Sequence, residues 1–90
     1  MKYYVENSIS KIDLGDELLL SIDENKVISL KDTSKFIFEL IEKGYDFEKI
    51  LSEFVKNYTI DFGIEILKQD ILECIDEFIN QKVVRSVNNE

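Results

Sequence analysis

The chain has 90 residues, with 11 basic against 19 acidic residues, a net charge of -8 and 44% hydrophobic content. That is enough for one folded domain over residues 1–90 with a modest core, and too little for a deep catalytic cleft with a lid. Histidine is absent and cysteine occurs once, which excludes Ser-His-Asp and Cys-His nucleophile systems, histidine metal sites, zinc ribbons and internal disulfides.

The opening residues Met1 to Asn7 contain no apolar run suited to a signal peptide, and nothing approaches the roughly 18–20 apolar residues of a membrane span. The expectation is a reduced, soluble, cytoplasmic protein. A weak strand is predicted around Ile9 to Asp13, followed by a tight turn at Leu14-Gly15-Asp16. In Glu17 to Ile22 the apolar set Leu18, Leu20 and Ile22 faces one way, and in Lys26 to Leu30 the set Ile28 and Leu30 does so with the Lys26 stem. Asp23-Glu24-Asn25 reads as a three-residue connection in which Asn25 accepts a positive φ. Together these give a three-stranded antiparallel meander whose outer strands each leave one row of backbone groups unpaired.

From residue 32 the period becomes helical. Asp32 or Thr33 is the expected N-cap of a helix with Phe36, Ile37, Leu40 and Ile41 on its apolar face, ending at Gly44. Asp46 caps a second helix with Phe47, Ile50, Leu51, Phe54 and Val55 inward. After Thr59 and Ile60, Asp61 is expected to cap a third helix from about Phe62 to Gln81, with Ile64, Leu67, Ile71, Ile75, Phe78 and Ile79 inward. Val83 to Val87 suggests a short extended piece, and Asn88-Asn89-Glu90 a loose end. The architecture expected is therefore α+β, with three strands feeding three helices.

The third helix carries a second row beside its apolar face: Ile66, Asp70, Cys74, Glu77 and Gln81 recur at spacings of four, four, three and four. This row is either a solvated flank with a tucked-in thiol or one wall of a groove. Catalysis finds little support. Asp13, Asp16, Glu17, Asp23 and Glu24 sit at turns with nothing to desolvate them, no calcium-loop pattern is present, and Cys74 has no histidine partner and lies among acids. No enzyme activity, metal or cofactor is expected. Binding remains. An open strand edge suits capture of an extended peptide by main-chain hydrogen bonds, and Lys26 to Leu30, leading straight into the first helix, is the candidate edge. Cover by its own chain or by a dimer mate is the competing account of that edge.

The run Leu14-Gly15-Asp16-Glu17-Leu18-Leu19-Leu20, then Asp23, then Val27 to Leu30 leading into a helix, resembles the PqqD family. So does the later order of Gly44, the helix ending near Tyr58, Asp61, and Asp70 in the long helix. The resemblance spans about residues 9 to 85. It implies a winged helix-turn-helix-like fold and a non-catalytic role in maturing ribosomally made peptides. The protein would bind the leader region of a precursor peptide, adding it as an antiparallel strand along Lys26, Val27, Ile28, Ser29 and Leu30, in a groove against Ile66, Asp70, Cys74 and Glu77. It would hand the peptide to a maturation enzyme: a peptidase, a cyclase or a radical-SAM protein, in coenzyme PQQ or lasso-peptide synthesis. No nucleic acid or membrane partner is implied, and a monomer or weak dimer is expected. Departures from the family pattern are Lys31 where Asn is usual, which moves the expected cap to Asp32, Phe38 where Trp is frequent, and Lys82 where glycine often ends the third helix. Two other readings stand beside this one: a winged-helix DNA-binding regulator, disfavoured by the acids of the third helix, and a small dimerisation adaptor.

Overall fold

Leu18 and Leu20 alternate with half-buried Leu19 and are 1% and 0% exposed, so one face of their strand is committed to the interior. The computed structural model describes residues 2–87; the expected loose end at 88–90 lies outside them. In chain order the elements are β1 (Lys2–Val5), β2 (Ser10–Asp13), β3 (Glu17–Asp23), β4 (Lys26–Lys31), α1 (Asp32–Glu42), α2 (Phe47–Asn57), α3 (Ile64–Asn80) and β5 (Val84–Val87). The meander is present as an antiparallel sheet in the order β2-β3-β4, with Leu18 opposite Leu30 and Leu20 opposite Ile28. The expected count of three strands is corrected to five. β1 and β5 form a separate antiparallel pair, Tyr3 opposite Ser86 and Val5 opposite Val84. β1 was overlooked because its partner lies at the far end of the chain and no local turn announces the pairing.

One hydrophobic core joins both sheets to the helices. Phe38 of α1, Ile50 of α2 and Ile71 and Ile75 of α3 are almost wholly buried, with Tyr3, Val83 and Val84 closing the core beside the second sheet. Phe38 meets Phe78 edge-on at 6.0 Å between ring centres, so the aromatic position in α1 is filled and packed without Trp. Val55 and Ile64, expected inward, are 47% and 46% exposed.

Several local expectations are also corrected. The β3–β4 connection is the two-residue loop Glu24-Asn25, since Asp23 pairs with Lys26 and a bulge between Ser21 and Asp23 takes up the extra residue. Asn25 keeps a negative φ; its N–H donates to Asp23 Oδ1 at 2.8 Å, and that side-chain bond shapes the turn. Neither Asp32 nor Thr33 caps α1. Lys31 occupies the N-cap position, and the Ser34 hydroxyl accepts from the Lys31 N–H at 3.1 Å while donating to its carbonyl at 2.8 Å. Asp32 instead takes a φ of +52°, the left-handed region that Asp tolerates better than most residues, as the chain swings from β4 into α1. Gly63, not Asp61, is the N-cap of α3, which starts two residues later than expected. Asp46 does cap α2, accepting from Lys49 N–H at 2.9 Å.

Two helix ends share one solution. At α1, Gly44 (φ +87°) donates to Ile41 and Tyr45 donates to Leu40. At α3, Lys82 (φ +64°) donates to Ile79 at 3.0 Å and Val83 donates to Phe78 at 2.9 Å. Both are left-handed terminations that satisfy the last carbonyls. Lys82 takes up a backbone conformation suited to glycine so that Val83 and Val84 can turn inward. Lys82→Gly should therefore stabilise the fold by about 0.5–1 kcal/mol, and Gly44→Ala should destabilise it by about 1 kcal/mol. Urea midpoints at constant m-value read both; a neutral or destabilising Lys82→Gly would mean that the turn carries no strain.

Candidate functional site: a groove between a strand edge and a helix

β4 is an edge strand. β3 pairs one side of it, and among the described residues no strand pairs the other. Its alternation is plain: Leu30 is buried and Ile28 half-buried on the helix side, whereas Val27 is 62% exposed and Ser29 exposed on the outer side. Ser29 is tied across the sheet by its hydroxyl, which donates to Glu17 Oε2. Lys26, at the hairpin end of the strand, is half-buried.

Alongside β4 runs α3. Leu67, Ile71, Ile75 and Phe78 sink into the core, which leaves the neighbouring row facing the space beside the strand. A groove of about 320 Å³ opens there, floored by Ile28, Leu30 and Phe78 and walled by Cys74, Glu77 and Gln81. A second hollow of about 250 Å³ continues past the start of α1, lined chiefly by Ile37, Phe54, Tyr58, Phe62 and Asp70. Cys74 lines both. Four of the five residues in the α3 row therefore face the groove system. Ile66 does not: it is 55% exposed and lines neither hollow.

Sequence reasoning missed the aromatic end. Phe54 and Tyr58 stack at 4.6 Å between ring centres, and Phe36 meets both edge-on. Tyr58 and Phe62 bracket the α2–α3 connection, so their convergence follows from the angle between two helices and not from any period. The signal available was the aromatic spacing Phe54, Tyr58 and Phe62, one every four residues.

The groove is mainly apolar, with carboxylates along one rim. Gln81 Nε2 donates to Glu77 Oε1 at 2.8 Å and steadies it. The Cys74 thiol is pushed up to about 11, first by burial and then by the Glu77 charge. Among the described residues no group of His, Cys, Asp and Glu could hold a metal ion, and no helix is long and apolar enough to cross a membrane. What this arrangement can do chemically is accept main-chain hydrogen bonds along β4 and bury side chains against α3.

Fold and groove define a small α+β domain that offers a bare strand edge backed by a helix. The chain belongs to the PqqD family: the family model described as Coenzyme PQQ synthesis protein D (PqqD) matches residues 18–84. No curated protein sequence matches it. Two solved structures share its fold. One, "TbiB1 in Complex with the TbiA(beta) Leader Peptide", aligns over 96% of this chain and 99% of that chain with a TM-score of 0.83 and 16% identity. The other, "Lasso peptide synthetase B1 complexed with the leader peptide", aligns over 96% of this chain and 100% of that chain with a TM-score of 0.81 and 13% identity.

The state of Cys74 is testable. Its thiolate should be scarce at neutral pH, so alkylation by iodoacetamide should run at least about 10-fold slower than for a free cysteine. The raised value also favours the neutral thiol in the folded state. Its contribution to stability is thus full below the ordinary value of 9.0 and declines as pH rises toward about 11. Cys74→Ala should remove that part of the alkaline decline. Free-cysteine reactivity in the folded protein would contradict the burial.

Proposed function

We propose that the chain, acting as a single unit over residues 1–90, binds the leader segment of a ribosomally synthesised precursor peptide in the cytoplasm and presents it to a maturation enzyme. The observation that carries this reading is the unpaired edge of β4 forming one wall of an apolar groove whose other wall is α3. Membership of the PqqD family, and a fold shared with two proteins solved with leader peptides, support it.

The leader would add to the sheet beside Lys26, Val27, Ile28, Ser29 and Leu30, exchanging main-chain hydrogen bonds with β4. Alternate side chains would enter the groove against Cys74 and Glu77, and the segment beyond the strand would reach the aromatic hollow beside Asp70. Ile66 would lie at the rim. The protein would do no chemistry itself. Holding the leader raises the local concentration of the attached core peptide at the partner, a peptidase, cyclase or radical-SAM enzyme of lasso-peptide or coenzyme PQQ type. DNA binding is the weaker reading: Lys68, the one basic residue of α3, faces Glu65 at 3.7 Å in a helix that also carries Asp70, Glu73, Asp76 and Glu77.

Calorimetric titration with synthetic leader segments, taken from short reading frames beside the gene, tests the proposal. A cognate segment should bind with micromolar affinity or better, about -8 kcal/mol. N-methylation along that segment should weaken binding at every second amide by about 5-fold per lost ladder bond. Asp70→Ala and Glu77→Ala should each lower affinity by about 3–10-fold. Silence from every segment would end the proposal, and N-methyl losses without alternation would end the strand-addition geometry.

A further inference from the structure

β2 forms the other edge of the three-stranded sheet; unlike β4 it shares no groove with α3, and α1 reaches it through the Lys11–Glu42 and Asp13–Lys35 ion pairs. All four of its residues are exposed, and among the described residues no strand pairs its outer side. Direct pairing of Lys11 with Leu20 and of Asp13 with Leu18 puts both charges on the helix side of the sheet. Pairing of Ile12 with Leu19 puts Ile12 on the outer side, where it is 61% exposed. On the helix side Lys11 bonds Glu42 at 2.7 Å and Asp13 bonds Lys35 at 3.1 Å.

A charge turned to the core side of an edge strand ordinarily discourages further pairing, because an arriving strand leaves it without a counter-charge. Here a cation and an anion flank one apolar residue symmetrically, and that changes the outcome for one arriving strand. We propose that the free edge of β2 pairs antiparallel with β2 of a second copy of this chain, about a two-fold axis through Ile12. That register sets Lys11 across from the partner's Asp13, and Asp13 across from the partner's Lys11. Each half then reads Glu42, Lys11, the partner's Asp13, the partner's Lys35, with the sign of charge alternating along the row. On the outer side Leu19, Ile12, the partner's Ile12 and the partner's Leu19 form one apolar row, with opposed Ile12 side chains roughly 5 Å apart. The two three-stranded sheets become one, with a β4 edge at each end. This pairing is independent of the leader-binding reading and leaves both grooves open.

The contact is short, below the roughly 1,000 Å² of a stable interface, and two chains of net charge -8 repel at long range. Its dissociation constant should therefore lie near 100 µM, about -5.5 kcal/mol. The measurement is sedimentation equilibrium of the full chain at 0.15 M salt, where the Debye length of about 8 Å screens net charge more than direct pairs. With loading from about 10 µM to 1 mM, bracketing that constant, the apparent mass should climb from 10.6 kDa toward twice that value. Lys11→Glu and Asp13→Lys each set like charges opposite one another, so each alone should associate at least about 10-fold more weakly than wild type. An equal mixture of the two should form a heterodimer heavier on average than either variant alone, because in the same register Glu then faces Lys and Asp faces Lys. Asp13→Lys also loses the turn bond from Gly15 N–H, so circular dichroism accompanies it; if that variant fails to fold, Ile12→Asp decides, since its site carries no core packing. A monomeric wild type at 1 mM, a mixture of folded variants no heavier than either alone, or an Ile12→Asp dimer as strong as wild type would overturn the proposal.

Discussion

The groove depends on the parity of β3. Leu18 and Leu20 are the interior face of the only strand in the meander with a neighbour on both sides. A slip of one residue would send Leu19 and Ser21 inward and turn every paired side chain of β4 over, Ile28 and Leu30 included. Burial of two leucines thus determines which residues of β4 look toward α3 and which look away. The energetic scale is suitable for such a constraint: a fully buried leucine contributes about 1.5–3 kcal/mol relative to exposure. Two lysines then fasten the β2–β3 turn to α1. Lys35, on a largely covered side chain, bonds Asp13 and the Gly15 carbonyl, and Lys11 bonds Glu42. Asp13 is held below its ordinary value, first by the Gly15 N–H and then by Lys35. These exposed pairs orient more than they stabilise.

The second wall needs its own anchor. α3 lines the groove with polar and small residues along one flank, so its position has to be set from the opposite flank and from its end. Phe78 packs on Phe38 at the lower end of the helix. Lys82 then reverses the chain, Val83 and Val84 bury, and β5 pairs with β1, bringing Tyr3 into the core. Burial raises the Tyr3 phenol above its usual value, with the Asp76 and Asp46 charges adding to the effect. The small sheet has no direct part in the groove. Its role is to clamp the far end of the helix that forms one side of it.

Where local chemistry decides, the sequence was readable. Alternation located the three meander strands, the 3.6-residue period located the three helices, and the same period placed Ile66, Asp70, Cys74, Glu77 and Gln81 in one row; Cys74, Glu77 and Gln81 share the groove with β4, Asp70 lines the second hollow, and Ile66 lines neither. What escaped was set by distance along the chain. β1 is a strand because of residues about eighty positions away, and nothing in Lys2-Tyr3-Tyr4-Val5 names its partner. The aromatic hollow escaped for a similar reason, since Phe54 of α2 meets Tyr58 and Phe62 of the following connection and Ile37 of α1 there, and no period encodes that convergence. The starts of α1 and α3, unlike that of α2, were misplaced for a subtler cause. Asp32, Thr33 and Asp61 are good capping residues by type, but Ser34 and Gly63 take over the task because the chain enters α1 straight from a strand and α3 from a compact turn.

The two edges of one sheet end up chemically unlike, and the difference originates in the order of elements. β4 leads directly into α1, and α3 then folds back alongside, so a strand arriving at β4 must pass beneath a helix. β2 shares no groove with α3; α1 reaches it through the Lys11–Glu42 and Asp13–Lys35 pairs, and all four of its residues are exposed. On that side the only discrimination available is charge order along the strand, which Ser10-Lys11-Ile12-Asp13 supplies. The proposed leader site would therefore discriminate by steric cover and the proposed dimer edge by charge order, although among the described residues both edges present the same unpaired backbone groups.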